Sequence, residues 1–148
     1  MNTVARHSAR AGPALQALAE ADPAIAALSL WCTHRDGEET RCSAEAIRYG
    51  PDFEALMPHE QSGLAAHHIL HVALRHPARM GSLQERLGEA FDPALYNLAA
   101  DAVVNEALLL ADHALPRPAV VLTELLQQAL GKRVEPQAAL AEWDVERL

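Results

Sequence analysis

Four of the chain's eight histidines fall within ten residues: His67-His68-Ile69-Leu70-His71-Val72-Ala73-Leu74-Arg75-His76. On a helix, residues four apart stand one turn apart on the same face. His67 and His71 would therefore present two imidazoles to one point, an arrangement that ligates a metal ion such as zinc. An HxxxH pair alone is a weak signal. Here the face is otherwise apolar, and imidazoles turned into a core need partners. Two readings stand: metal ligands, or core histidines bonded to backbone or to each other.

A zinc site needs a third protein ligand, usually from another element. Asn97, Asp101 and Asn105 are spaced by four and form a polar stripe along an otherwise apolar segment. A buried carboxylate without a partner is costly. Asp101 is thus the candidate third ligand, with Asn97 and Asn105 hydrogen-bonding behind it. The alternative is a polar seam against another helix or subunit. His76 lies five residues past His71, roughly 140° around a regular helix, so it ligates only if a break at Pro77 swings it back. Otherwise it is a cation at a helix C-terminus or a surface residue. His7, His34, His59 and His113 read as solvated. Two histidines and a carboxylate also describe non-haem iron sites, which makes iron the alternative metal.

These side chains need helices to hold them. Pro58 fits the first turn of a helix running to about Arg75, stopped by His76-Pro77. Asp92-Pro93 opens another, with an N-cap and a first-turn proline, running to about Asp112. Val120 to Leu130 is a third, ended by Gly131, and Pro136 to Trp143 a short fourth. Residues 3–21 read as one helix or two short ones, with Pro13 at a start. Residues 78–92 read as a polar connection with a short helix at 82–87. Ala24 to Cys32 is apolar and ends in strand formers. Asp36-Gly37 signals a turn, and residues 44–49 a returning strand closed by Gly50-Pro51. Cys32 and Cys42 would face each other across that hairpin. The expected fold is one mainly α domain over residues 1–148 with a small β hairpin.

Composition excludes several classes. Hydrophobic residues make up 50% and charged residues 22% of 148, enough for a core without disulfide staples. The balance of 12 basic against 20 acidic residues gives a net charge of −8; no basic footprint for nucleic acid exists. No run approaches the ~18 apolar residues of a membrane span. The first ten residues carry no apolar leader, so the expected location is the cytoplasm and the expected cysteines are free thiols. There is no phosphate-cradling glycine loop, no G-x-S-x-G elbow and no CxxC pair.

The segment Gly63 to Pro77 resembles the HExxH helix of the metallopeptidase domain often found ahead of von Willebrand factor A-like domains in bacteria. Its second motif, W-N-x-A-x-D-x-x-x-N, is matched by Tyr96-Asn97-Leu98-Ala99-Ala100-Asp101-Ala102-Val103-Val104-Asn105. Thr33 to Gly37, with Gly50-Pro51-Asp52-Phe53, looks like the family's TDG hairpin and the strand after it. The resemblance spans about residues 22–130. It implies a zincin-like helix pair, zinc, and hydrolysis of a peptide or protein substrate.

One position departs from the pattern: His68 stands where the family has Glu, the general base of zincins. Losing such a base costs about 100- to 10,000-fold. His68 would be a substitute base, since imidazole titrates near neutrality, an additional ligand, or a residue facing away in a degenerate enzyme. Glu60, two turns before His67, is a second base candidate, although N-terminal capping explains it without chemistry. A non-catalytic scaffold working with a separately encoded ATPase or von Willebrand factor A-like protein is the competing function. Nothing in the sequence fixes the oligomeric state.

Overall fold

The computed structural model describes residues 8–148 apart from Glu45 and Lys132. His7 and the start of the expected first helix lie outside the described residues. The chain divides into two compact units, Met1–Ala78 and Arg79–Leu148.

In the first unit, α1 (Gly12–Ala21) has Pro13 in its first turn, as expected. The apolar stretch after it is α2 (Pro23–Ser29), not the approach to a strand. The Asp22 side chain accepts from the Ile25 amide and, with Pro23 in the first turn, nucleates a helix that outweighs the strand formers further on. The strands are β1 (Thr33–Asp36), β2 (Arg41–Ser43) and β3 (Ala46–Tyr49). The expected hairpin is instead a three-stranded sheet ordered β1-β3-β2. The tight reversal falls at Ala44, held at φ 44°, so β2 pairs antiparallel with β3, while β1 pairs parallel with β3 on its other edge. Cys32 immediately precedes β1 and Cys42 lies in β2, with β3 between the two strands, and the two cysteines form no disulfide.

A short α3 (Pro51–Glu54) leads to α4 (Pro58–Ala73), which packs on α1, α2, β2 and β3. Leu18, Ile25, Ile47, Tyr49 and Phe53 are buried in this unit. Gly50 is required at the β3–α3 junction, because a Cβ there would lie 2.6 Å from the Glu39 Cα. Arg10 closes the sheet end, donating from Nη1 to the carbonyls of Gly37 at 2.8 Å and Tyr49 at 2.9 Å.

His34, expected in solvent, is fully buried on β1. Its Nε2 lies 3.0 Å from the Ser29 carbonyl, which can only accept, so Nε2 carries the hydrogen. Nδ1 then accepts from the Tyr49 hydroxyl at 3.0 Å. Burial pushes the Tyr49 phenol well above its ordinary range and keeps it a donor.

The helix α5 (His76–Leu87) carries the boundary between the units. It contains the short helix expected at 82–87 and starts six residues earlier, where a polar connection was expected. In the second unit, α6 (Pro93–Leu110) packs on α7 (Leu122–Leu130) and α8 (Pro136–Glu142). Asp92 caps α6 by accepting from the amides of Ala94 and Leu95, and Gly131 ends α7 in the left-handed conformation, φ 68°. One core cluster joins Tyr96, Ala99, Ala100 and Val145; another joins Ala102, Leu122, Leu126 and Ala139. No helix among the described residues is long and apolar enough to cross a membrane.

Candidate metal centre

α4 begins where the sequence places it. Pro58 supplies the first turn, and the Glu60 carboxylate accepts from the Met57 amide at 3.3 Å. Glu60 is thus engaged at the cap. Gly63, Ala65, Ala66, His67, Ile69 and His71 form the buried side of α4. On that side the Nε2 atoms of His67 and His71 stand 2.9 Å apart, with ring centroids 4.5 Å apart and planes nearly perpendicular. Both residues are buried. The i, i+4 spacing has done what helix geometry requires and turned the same atom of each ring to one point.

His76 joins them from another direction. α4 ends at Ala73, and Arg75, in the left-handed conformation at φ 58°, reverses the chain. His76 is therefore not a C-terminal cation of α4 but the first residue of α5, with Pro77 behind it. The turn buries it and sets its Nδ1 2.9 Å from Nδ1 of His71. His68, one position on from His67, is half-buried, its ring centroid 5.2 Å from that of His67 and 6.3 Å from that of His71.

The stripe on α6 resolves into different environments. Asn97 is exposed, Asp101 half-buried and Asn105 buried. Asn105 spends its Nδ2 donor on the Val120 carbonyl at 2.8 Å, fastening α6 to the strand-like lead into α7. Next to it, Glu106 is a buried carboxylate that sequence reasoning passed over. It accepts from the Thr123 amide at 2.8 Å and so caps α7 from a neighbouring helix, since Val121 at the N-cap has no side chain to do it. The signal available was a charged residue inside the apolar run following Asn105. His59 is exposed, as expected, and His113 half-buried.

Two buried imidazoles with the same nitrogen facing one point fit a cation. Zinc–nitrogen bonds of about 2.0–2.1 Å at a tetrahedral angle set two such nitrogens about 3.4 Å apart, so His67 and His71 would open by about 0.5 Å. As a class, this is a mainly helical protein with a buried histidine pair built like half of a metal site. The chain belongs to the family described as "putative metallopeptidase domain", whose model matches residues 6–148. That match extends beyond the 22–130 of the motif resemblance. Comparison with curated proteins and with solved structures gave no match.

Proposed function

We propose that this protein is a metallopeptidase-like metal-binding protein that holds zinc through His67, His71 and Asp101. The facing Nε2 atoms of His67 and His71 carry the reading. Membership in a family of metallopeptidase description supports it. Asp101 is assigned from its place in the second motif and from the carboxylate that a two-histidine zinc site still lacks. A divalent ion held there supplies Lewis acidity, polarising a carbonyl and making a water acidic near neutral pH. The chain's own part is to fix the donors on rigid helices, to keep them in buried surroundings, and to offer His68 as the group that takes and returns a proton. The substrate class is a peptide or other amide, and the setting is the cytoplasm, where Cys32 and Cys42 stay reduced.

Elemental analysis of the purified protein, beside His67→Ala and His71→Ala, tests the metal. About one zinc per chain, lost in both variants, is expected; iron in its place would move the chemistry to the non-haem class. No metal in any sample would overturn the reading.

On the motif resemblance, His68 stands at the position of a zincin's base, which favours one second reading: a metal-stabilised module without hydrolysis, docking a separately encoded ATPase or von Willebrand factor A-like protein. Hydrolysis of unstructured casein that disappears in His67→Ala would exclude it.

A further inference from the structure

We infer that His76 is a positioning residue: it accepts the Nδ1–H of His71 and thereby holds the His71 Nε2 lone pair toward His67, ready for a metal. The inference rests on the zinc reading above and deepens it. His71 has both ring nitrogens in contact with another imidazole, His67 through Nε2 and His76 through Nδ1, each at 2.9 Å. A neutral imidazole has one N–H and one lone pair, so two arrangements satisfy both contacts. In one, His71 donates from Nδ1 to His76 and keeps a lone pair on Nε2. In the other, His76 donates to His71, and the hydrogen on Nε2 of His71 points at His67 and closes the pair to a cation. Ligation by the facing nitrogens needs the first.

The same geometry removes His76 from the ligand set. The two nitrogens of an imidazole point to opposite sides of the ring, and His76 occupies the Nδ1 side, away from the point that His67 and His71 share. Its position is built, not incidental. The left-handed Arg75 reverses the chain, the Arg75 amide donates to the Val72 carbonyl at 3.0 Å, and Pro77 stiffens the start of α5. The five-residue spacing that takes His76 off the face of α4 brings it to the back of His71. Ligating histidines are commonly fixed through their second nitrogen in this way, and losing that partner costs about 10- to 100-fold in metal affinity.

Zinc affinity of the full chain, measured by competition with a chromophoric chelator, tests this for the wild type, His76→Ala, His76→Gln and His67→Ala. The expected result is a loss of about 10- to 100-fold in His76→Ala, recovery in His76→Gln, whose amide oxygen can accept the same N–H, and abolition in His67→Ala. Nitrogen-15 spectra of the metal-free wild type should show His71 as the Nδ1–H tautomer, with that preference lost in His76→Ala. An unchanged affinity in His76→Ala, or a His71 protonated on Nε2 in the wild type, would overturn the inference and leave the zinc reading standing. A wild-type chain that does not bind zinc would overturn both. Should His76→Ala fail to fold, the Gln variant and the wild-type spectra decide.

Discussion

Placing a glutamate at position 68 tests the catalytic half of the proposal directly. His68 sits one position on from His67, half-buried, with its ring centroid 5.2 Å from that of His67 and 6.3 Å from that of His71. A general base works in direct hydrogen-bond reach, about 2.6–3.2 Å, or through one water. The ring stands beside the pair, so a carboxylate at this position tests whether a base here can act on their side of α4. With His68 already taking and returning the proton, His68→Glu should change the rate little; a gain near the worth of a positioned base, about 100- to 10,000-fold, would mean that the imidazole does not serve. At 1.36 kcal/mol per decade this is about 2.7–5.4 kcal/mol of barrier. The assay is release of peptides from unstructured casein by zinc-loaded protein, with His68→Glu/His67→Ala as control. Zinc affinity should change less than the 10- to 100-fold of a lost supporting contact. The size of the gain also identifies what His68 does now: if imidazole already serves as the base, the gain collapses toward unity over a measurable wild-type rate. A zinc-loaded His68→Glu with no hydrolysis, in a chain that still binds the metal, would refute the assignment of a peptidase site to this helix.

Two further expectations concern the scaffold. The Ser8 hydroxyl donates to Asp36 and is the main cause that lowers the Asp36 pKa; slight desolvation opposes it, and the Arg10 amide at 3.2 Å reinforces it. A carboxylate depressed in the folded state stabilises above its unfolded value near 4 and loses that contribution as pH falls through the folded value. Urea midpoints of the wild type and Asp36→Asn should therefore differ at pH 6 and converge below about pH 4; because Asp36 is exposed the difference is small, and a gap that widens on acidification would contradict the sign. Glu106→Ala removes a charged acceptor from the first turn of α7 and leaves the Thr123 amide orphaned, an expected loss of about 2–3 kcal/mol. Glu106→Gln keeps the acceptor and should lose about half of that; equal midpoints for the two variants would take the hydrogen bond out of the account.

What could be read from the sequence was what depends on local rules. The prolines at positions 13, 58, 93 and 136, the Asp92 cap and Gly131 each act within one turn of their own position, and the helices they delimit are present. The His67/His71 pair was legible for the same reason, since both members ride one helix. The errors lie where distant parts of the chain decide. β2 is three residues long, and β1 and β2 are told apart as partners only by β3, which follows both. His34 looks like any strand histidine until the Tyr49 hydroxyl and the Ser29 carbonyl take up its two nitrogens. His76 was placed by the rule that a proline ends the preceding helix, whereas the chain turns one residue earlier, at Arg75, and starts a new helix with the proline inside it.

Metal binding and hydrolysis separate cleanly in this arrangement. A ligand that binds only the folded chain stabilises it by about 2.7 kcal/mol at a hundredfold excess over its dissociation constant. Zinc on His67 and His71 would therefore raise the melting temperature whether or not the protein cuts anything. The pair is buried on α4, which packs on α1, α2 and the sheet, so it is well placed to staple the first unit. A scaffold that kept the metal for that purpose would have no need of a proton-transferring group at position 68. An enzyme would need at position 68 a group whose proton can move at neutral pH, and imidazole is the one neutral-range substitute among the common side chains. A thermal shift with zinc thus cannot choose between the two; hydrolysis by the wild type and its change in variants at position 68 can, because that side chain matters to one reading and not to the other.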